Sequence, residues 1–124
     1  MLVKIFGSAV YGVEAITITI EANWIPTSGK DSMIVGLPDS AVKESLQRIE
    51  STFKTNSYQV PRTKVVVNMA PADIKKSGTA FDLPIALGIL GASEQLDNCE
   101  ALQQYVIMGE LSLDGQLRPI KGAL

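Results

Sequence analysis

The chain contains no histidine, so neither a Ser-His-Asp triad nor a Cys-His pair can be assembled from it. It has a single cysteine, Cys99, which permits no intrachain disulfide and fits a reducing compartment; the expected location is the cytoplasm. No apolar run is long enough to span a bilayer, and no basic start leads into an apolar signal segment, so no membrane partner is expected. Positive charge is scarce as well. Lys and Arg number 11 against 13 Asp and Glu, for a net charge of −2, with a pI near 5.0, which is not the electrostatic footprint of a nucleic-acid-binding surface. The basic pairs Arg62 with Lys64 and Lys75 with Lys76 read as solvated faces. A phosphate-binding loop is missing: Gly29-Lys30 lacks both the earlier glycine and the following Ser or Thr, and reads as a turn. No nucleotide or other cofactor site is therefore expected in these 124 residues. No ligand-dense calcium loop occurs either. Asp73, Asp82, Glu110 and Asp114 then read as caps, turn formers and surface carboxylates, with no metal site. Glu110 is the exception, because a carboxylate within a strand hairpin needs a partner; Arg118 across the ladder is the candidate.

What is present suits one folded unit. The chain is 46% hydrophobic and 19% charged, enough apolar material for one core and too little for two. Leu2–Ser8 and Val13–Ala22 are expected to form an antiparallel strand pair, since Ile16, Ile18 and Ile20 alternate with Thr17, Thr19 and Glu21, and the turn falls near Val10–Gly12. Asn23–Asp31, with Pro26, Ser28 and Gly29, is a loop by composition. Met33–Leu37 is a short strand ended by Pro38. Asp39 or Ser40 then caps a helix whose Val42, Leu46, Ile49 and Phe53 share one stripe. Burying each is worth roughly 1.5–3 kcal/mol before entropy is counted. Thr63–Met69, rich in valine, suits a central strand. Beyond the Pro71 turn, Leu83 to about Ala92 is apolar on nearly every side and predicts a helix inside the core. Two start signals compete there: a capping box of Thr79 with Asp82, or Asp82 as N-cap with Pro84 in the first turn, which the proline favours. Last, Tyr105–Leu111 and Gln116–Ile120 flank Asp114-Gly115, a strong hairpin signal. This order of elements is α+β.

Two segments carry a resemblance to known proteins. Lys76–Pro84, KSGTAFDLP, and Met108–Leu124, MGELSLDGQLRPIKGAL, resemble the catalytic segments of Lon-type serine proteases. The alignment places Ala80 where that family has its nucleophilic serine and Leu124 where it has its general-base lysine. Gly109, Glu110, Gly115, Pro119, Ile120 and Gly122 match the second segment. A serine-lysine dyad needs a hydroxyl and a nearby amine of lowered pKa; alanine and leucine supply neither. The resemblance thus implies a Lon-protease-like fold, akin to domain 2 of a ribosomal small-subunit protein, without protease chemistry and with no catalytic residues.

A second resemblance spans nearly the whole chain. Lys4–Ala15, Ile34–Glu44, Val67–Lys75 and Gly78–Gly88 are similar, in the same order, to the N-terminal domain of Mg-chelatase-like AAA+ proteins of the ComM and YifB type. The resemblance implies that residues 1–124 are an incomplete Lon-like domain, truncated at the C-terminus, with an AAA+ ATPase module after residue 124. ATP and magnesium would belong to that module. The partners implied are the chain's own AAA+ module, neighbouring subunits of a homo-oligomeric ring, and DNA through the full protein, as in the ComM branch-migration helicases of natural transformation. The function expected of this chain is a non-catalytic assembly or partner-binding module. Alternatives left open are a divergent serine peptidase using a nucleophile such as Ser77, and direct DNA contact within an oligomer.

Overall fold

The computed structural model describes residues 2–25, 32–61 and 64–119. Its first two strands, β1 (Leu2–Tyr11) and β2 (Glu14–Trp24), form a long antiparallel hairpin in which Tyr11 pairs with Glu14. β1 runs three residues further toward the connection than the expected Leu2–Ser8, while β2 starts one residue after the expected Val13 and continues past Ala22 to Trp24. The turn is Gly12-Val13, and Gly12 has φ +61°, the positive value that a two-residue hairpin of this twist requires at its first central position. Alternation does the rest: Ile18, Ile20 and Ala22 are buried while Thr17 and Asn23 are exposed.

β3 (Met33–Val35) runs parallel to β4 (Val65–Ala70), and β4 pairs antiparallel with β2. The sheet order is β1-β2-β4-β3, so the valine-rich strand is central, as expected. β3 is shorter than the predicted Met33–Leu37 because Gly36 (φ +101°) and Leu37 (φ +57°) turn the backbone out of the ladder. One sheet face carries the helices and the core. On it lie Val3, Ile5, Ile18, Ile20, Val65, Val67 and Met69, all nearly or fully buried.

The helix after Pro38 comes in two pieces, α1 (Ser40–Lys43) and α2 (Ser45–Thr55), joined at Glu44. Asp39 is its cap, accepting from the Val42 amide at 2.8 Å. The predicted stripe holds: Val42, Ile49 and Phe53 are buried and Leu46 is half-buried against them. α3 (Asp82–Ala92) is the core helix the sequence implies, packed on β1 and β2 with most of its surface buried. Gly88 is needed there, since a Cβ would stand 3.2 Å from that of Ala22 on β2.

The last segment departs furthest from expectation. A 3-10 helix (Cys99–Gln104) precedes a single parallel bridge from Val106 to Phe6 of β1, and only β5 (Glu110–Leu111) and β6 (Leu117–Arg118) form the hairpin. Tyr105–Leu111 is thus not one strand. Its first half lies along β1, and its second half turns to α3. Asp114-Gly115 does make the turn. The Ser112 amide donates to the Gln116 carbonyl, and Gly115 takes φ +93°, as in hairpins closed by a left-handed glycine. Ser51 and Thr52 of α2 and Asn56, which caps its C-terminal end, donate to the carbonyls of Leu113, Ser112 and Asp114 and clamp the turn to the helix. Ile120, the predicted end of the second hairpin strand, lies outside the described residues.

Candidate functional site

The two motif segments that drew attention in the sequence meet at one place. After the cis Ala70-Pro71 bond, residues 72–81 fold back across the turn between β3 and α1. The Lys76 amide donates to the Leu37 carbonyl at 2.9 Å, and the Asp39 amide donates to the Lys76 carbonyl at 2.8 Å. Asp39 also takes the Gly78 amide on its second carboxylate oxygen, at 3.4 Å. One aspartate therefore caps α1 and holds the loop that leads to α3.

Lys76 is the residue the sequence reading misplaced. Its side chain is fully buried, not part of a solvated face. The ammonium donates to the Gly36 carbonyl at 2.7 Å and to the Pro71 carbonyl. Burial lowers its pKa from the ordinary 10.5, and Asp73 pulls in the other direction. The missed signal is local alternation at the bridge to Pro38: Lys75 and Ser77 are exposed while Lys76 turns inward, as neighbours in extended backbone do. The consequence is a pH dependence. With its folded pKa below its unfolded one, the folded chain releases the Lys76 proton first, so this group adds stability as pH rises through the interval below 10.5 and nothing further above it. Urea unfolding measured at rising pH up to 10.5 should show the rise, and Lys76→Met should flatten it; an unchanged slope in the variant would assign the effect elsewhere.

Ala80, the expected nucleophile position, is half-buried at the entry to α3. Its carbonyl accepts from the Gly109 amide at 2.7 Å, and the Gly109 carbonyl accepts from the Leu83 amide at 3.0 Å. The two Lon-like segments are thus joined through backbone at Ala80 and Gly109. Gly109 suits this approach, because a Cβ there would meet Leu83 and Leu117 at 3.2–3.3 Å. Beside this junction Thr79 donates its hydroxyl to Glu110, and Glu110 faces Arg118 across the ladder with a nitrogen-oxygen separation of 4.0 Å. Leu124, the other dyad position, lies outside the described residues, as do Lys121 and Gly122.

Asp82 has a different role from the predicted cap. Phe81 occupies the N-cap position without a side-chain cap, and Asp82 is the first helical residue. Its fully buried carboxylate accepts from Ser45 Oγ at 2.6 Å, from Arg48 Nε at 2.6 Å and Nη2 at 2.9 Å, and from the Leu111 amide at 3.0 Å. Held this way, the Arg48 guanidinium has its pKa raised. The cluster ties α2, α3 and β5 together. Asp114 belongs to the hairpin turn, where it accepts from the Ser112 hydroxyl and, at 3.2 Å, from the Gln116 amide. Among the described residues no group of three or more His, Cys, Asp and Glu side chains could hold a metal ion.

Ser77 is exposed on the rim of a cleft of about 380 Å³, lined by Ser8, Val10, Tyr11, Lys75, Phe81 and Met108, among others. Among the described residues no base lies within hydrogen-bond distance of its hydroxyl, and the neighbouring Lys76 ammonium is directed to the Gly36 and Pro71 carbonyls.

Residues 20–124 match the protein family described as subunit ChlI of Mg-chelatase. The chain belongs to that family. Its similarity to ComM and YifB proteins extends across nearly all of its length: it is 42% identical over 124 residues to competence protein ComM of Haemophilus influenzae. It is 42% identical over 116 residues to the uncharacterized protein YifB of Escherichia coli, and 35% identical over 122 residues to the uncharacterized protein Rv2897c of Mycobacterium tuberculosis. These alignments cover 99%, 94% and 98% of this chain. The chain spans only about a quarter of those relatives, 24% of ComM and 22% of YifB. In this ChlI-family chain, Asp39 joins two of the segments that resemble ComM-type proteins, Ile34–Glu44 and Gly78–Gly88, by accepting from the Gly78 amide. No helix among the described residues is long and apolar enough to cross a membrane.

Proposed function

We propose that this chain is a Lon-protease-like domain serving as a non-catalytic assembly or partner-binding module of a Mg-chelatase-like AAA+ ATPase. The full protein would carry an ATPase module using ATP and magnesium, assemble as a homo-oligomeric ring, and act on DNA as a competence-type branch-migration motor. The observation that carries the non-catalytic reading is the state of the would-be site. Ala80 offers no nucleophile, and Ser77 has no base beside it among the described residues. The amine of lowered pKa in this segment, on Lys76, is committed to two carbonyls. A Ser-Lys mechanism needs that amine free and aimed at the hydroxyl. Identity to ComM over the whole chain supports the motor assignment.

Peptidase activity should be absent. Incubation with unfolded casein and with a serine-reactive phosphonate should leave the casein intact and the protein unlabelled; covalent labelling at Ser77 would favour the divergent-peptidase alternative. The assembly role is tested in the full-length protein by deleting this domain. Mass photometry should show rings falling to smaller species when ATP is present, and rings that persist unchanged would remove assembly from the domain's duties.

A further inference from the structure

Strand β1 is an edge of the sheet, and only part of that edge is covered. In the register with β2, Tyr11 and Glu14 close the hairpin, so the backbone groups of Phe6, Ser8 and Val10 point away from β2. Phe6 uses its carbonyl to accept from the Ile107 amide at 2.7 Å. A parallel neighbour would continue to Ser8, but the chain leaves β1 at this point and turns to pair Gly109 with Ala80. The Met108 side chain fills the fork. Its sulfur, a weak acceptor, lies 3.5 Å from the Ser8 amide where a strand carbonyl would otherwise sit. Among the described residues, the Ser8 carbonyl and both backbone groups of Val10 have no protein partner, and Val10 is 73% exposed. The cleft of about 380 Å³ lies along this free edge.

The cleft lining has one sign of charge. Lys75 is the charged residue in it, and the other polar side chains, Ser8, Tyr11 and Ser77, carry hydroxyls. The Tyr11 hydroxyl is held by the Lys75 carbonyl, which fixes one end of the cleft. The apolar part of the lining includes the half-buried Met108 with Phe81 behind it.

We propose that the Ser8–Val10 edge receives an extended peptide segment of a partner protein, added as a further strand, with a carboxylate side chain of that segment meeting Lys75. The segment would replace the Met108 sulfur at the Ser8 amide with a carbonyl oxygen and would satisfy both backbone groups of Val10. Alternate side chains of the added strand would face the apolar part of the lining. This rests on the partner-binding reading given above and names the class of partner.

The test is titration of the isotope-labelled 124-residue chain with a capped pentapeptide of alternating valine and glutamate. Matched peptides carrying glutamine or lysine in place of glutamate serve as controls, read by amide chemical shifts. Saturable shifts centred on Ser8 and Val10 are expected, with the glutamate peptide binding about threefold to fivefold more tightly than the glutamine one, the scale of a partly exposed charge pair. Lys75→Gln should erase that preference. Val10→Pro removes the outward N–H at an edge position where proline is tolerated, and should weaken every peptide about tenfold or more without changing thermal stability much. Absence of saturable binding, shifts centred elsewhere, equal affinity for the lysine peptide, or Val10→Pro binding like the parent would each overturn the proposal. None of these outcomes bears on ring assembly by the full-length protein, so the assembly reading would stand or fall separately.

Discussion

Replacing Asp82 with alanine should cost about 3–5 kcal/mol of folding stability, the penalty for leaving a largely desolvated charge and its hydrogen-bonding neighbours without their partner. The parent chain, at 124 residues, should have a total on the order of 10 kcal/mol, so the variant forfeits roughly a third to a half of it. The size follows from geometry. Asp82 is fully buried and receives two hydrogen bonds from Arg48, one from Ser45 and one from the Leu111 amide, so its removal leaves a hydroxyl and a backbone donor unmatched and the guanidinium with only the Ala41 carbonyl at 3.3 Å and Glu44 at 3.8 Å. The double variant Arg48→Met, Asp82→Leu should recover part of the loss, because it removes both charges and leaves only the two neutral donors unmatched. Urea unfolding monitored by circular dichroism reads both. An Asp82→Ala protein within about 1 kcal/mol of the parent would mean that water enters and solvates the cluster, against its burial here.

Gly36→Ala should be comparably severe for a different reason. A Cβ at this position would stand 2.1 Å from the Met69 carbonyl oxygen and 2.9 Å from its carbon, and the backbone is held at φ +101°. Both atoms belong to the main chain of the central strand β4, so no rotamer change can relieve the contact. We expect about 3 kcal/mol or more, combining backbone strain with overpacking. The Gly36 carbonyl also receives the Lys76 ammonium, so any displacement of this turn disturbs the loop leading to Ala80. Gly78→Ala is the matched comparison. Gly78 has φ +89° but open space around the missing Cβ, so the substitution should cost only the backbone term, about 1 kcal/mol. Equal losses in the two variants, measured side by side in urea, would show that the Met69 contact is not the cause.

Much of the fold was legible because the responsible patterns are local. Ile16, Ile18 and Ile20 announce the β2 face by alternation, the Val42 to Phe53 stripe announces a surface helix, and the unbroken apolar run after Pro84 announces a buried one. Even the partner of Glu110 could be named, and the three-residue loop between Ser112 and Gln116 sets the register that brings Arg118 opposite it. What stayed hidden depends on distant chain. The helix breaks at Glu44 with no proline or glycine to mark it. Asp82 looks like a helix cap from its neighbours alone, and only the docking of α2 brings Ser45 and Arg48 to its carboxylate. Tyr105–Leu111 has the composition of a strand, yet Met108 and Gly109 divide it between β1 and the entry to α3. At the candidate site, the expectation that Ala80 stands at a nucleophile position rests on resemblance alone, whereas the burial of Lys76 needed the fold.

The Asp82 cluster also bears on the order in which the molecule comes together. Its bonds join residues 29 to 37 positions apart, and they require α2, α3 and the β5 strand all to be in place. Loop closure over such separations must be achieved before the bonds return any free energy. The β1–β2 hairpin, by contrast, closes through a two-residue turn and can form early. The carboxylate is then a late fastener, and its contribution belongs to the unfolding rate: in a denaturant chevron, Asp82→Ala should raise the unfolding arm while leaving the refolding arm nearly where it was. Such a fastener sets how long the folded domain survives under load, which is a matter of lifetime and not of equilibrium population.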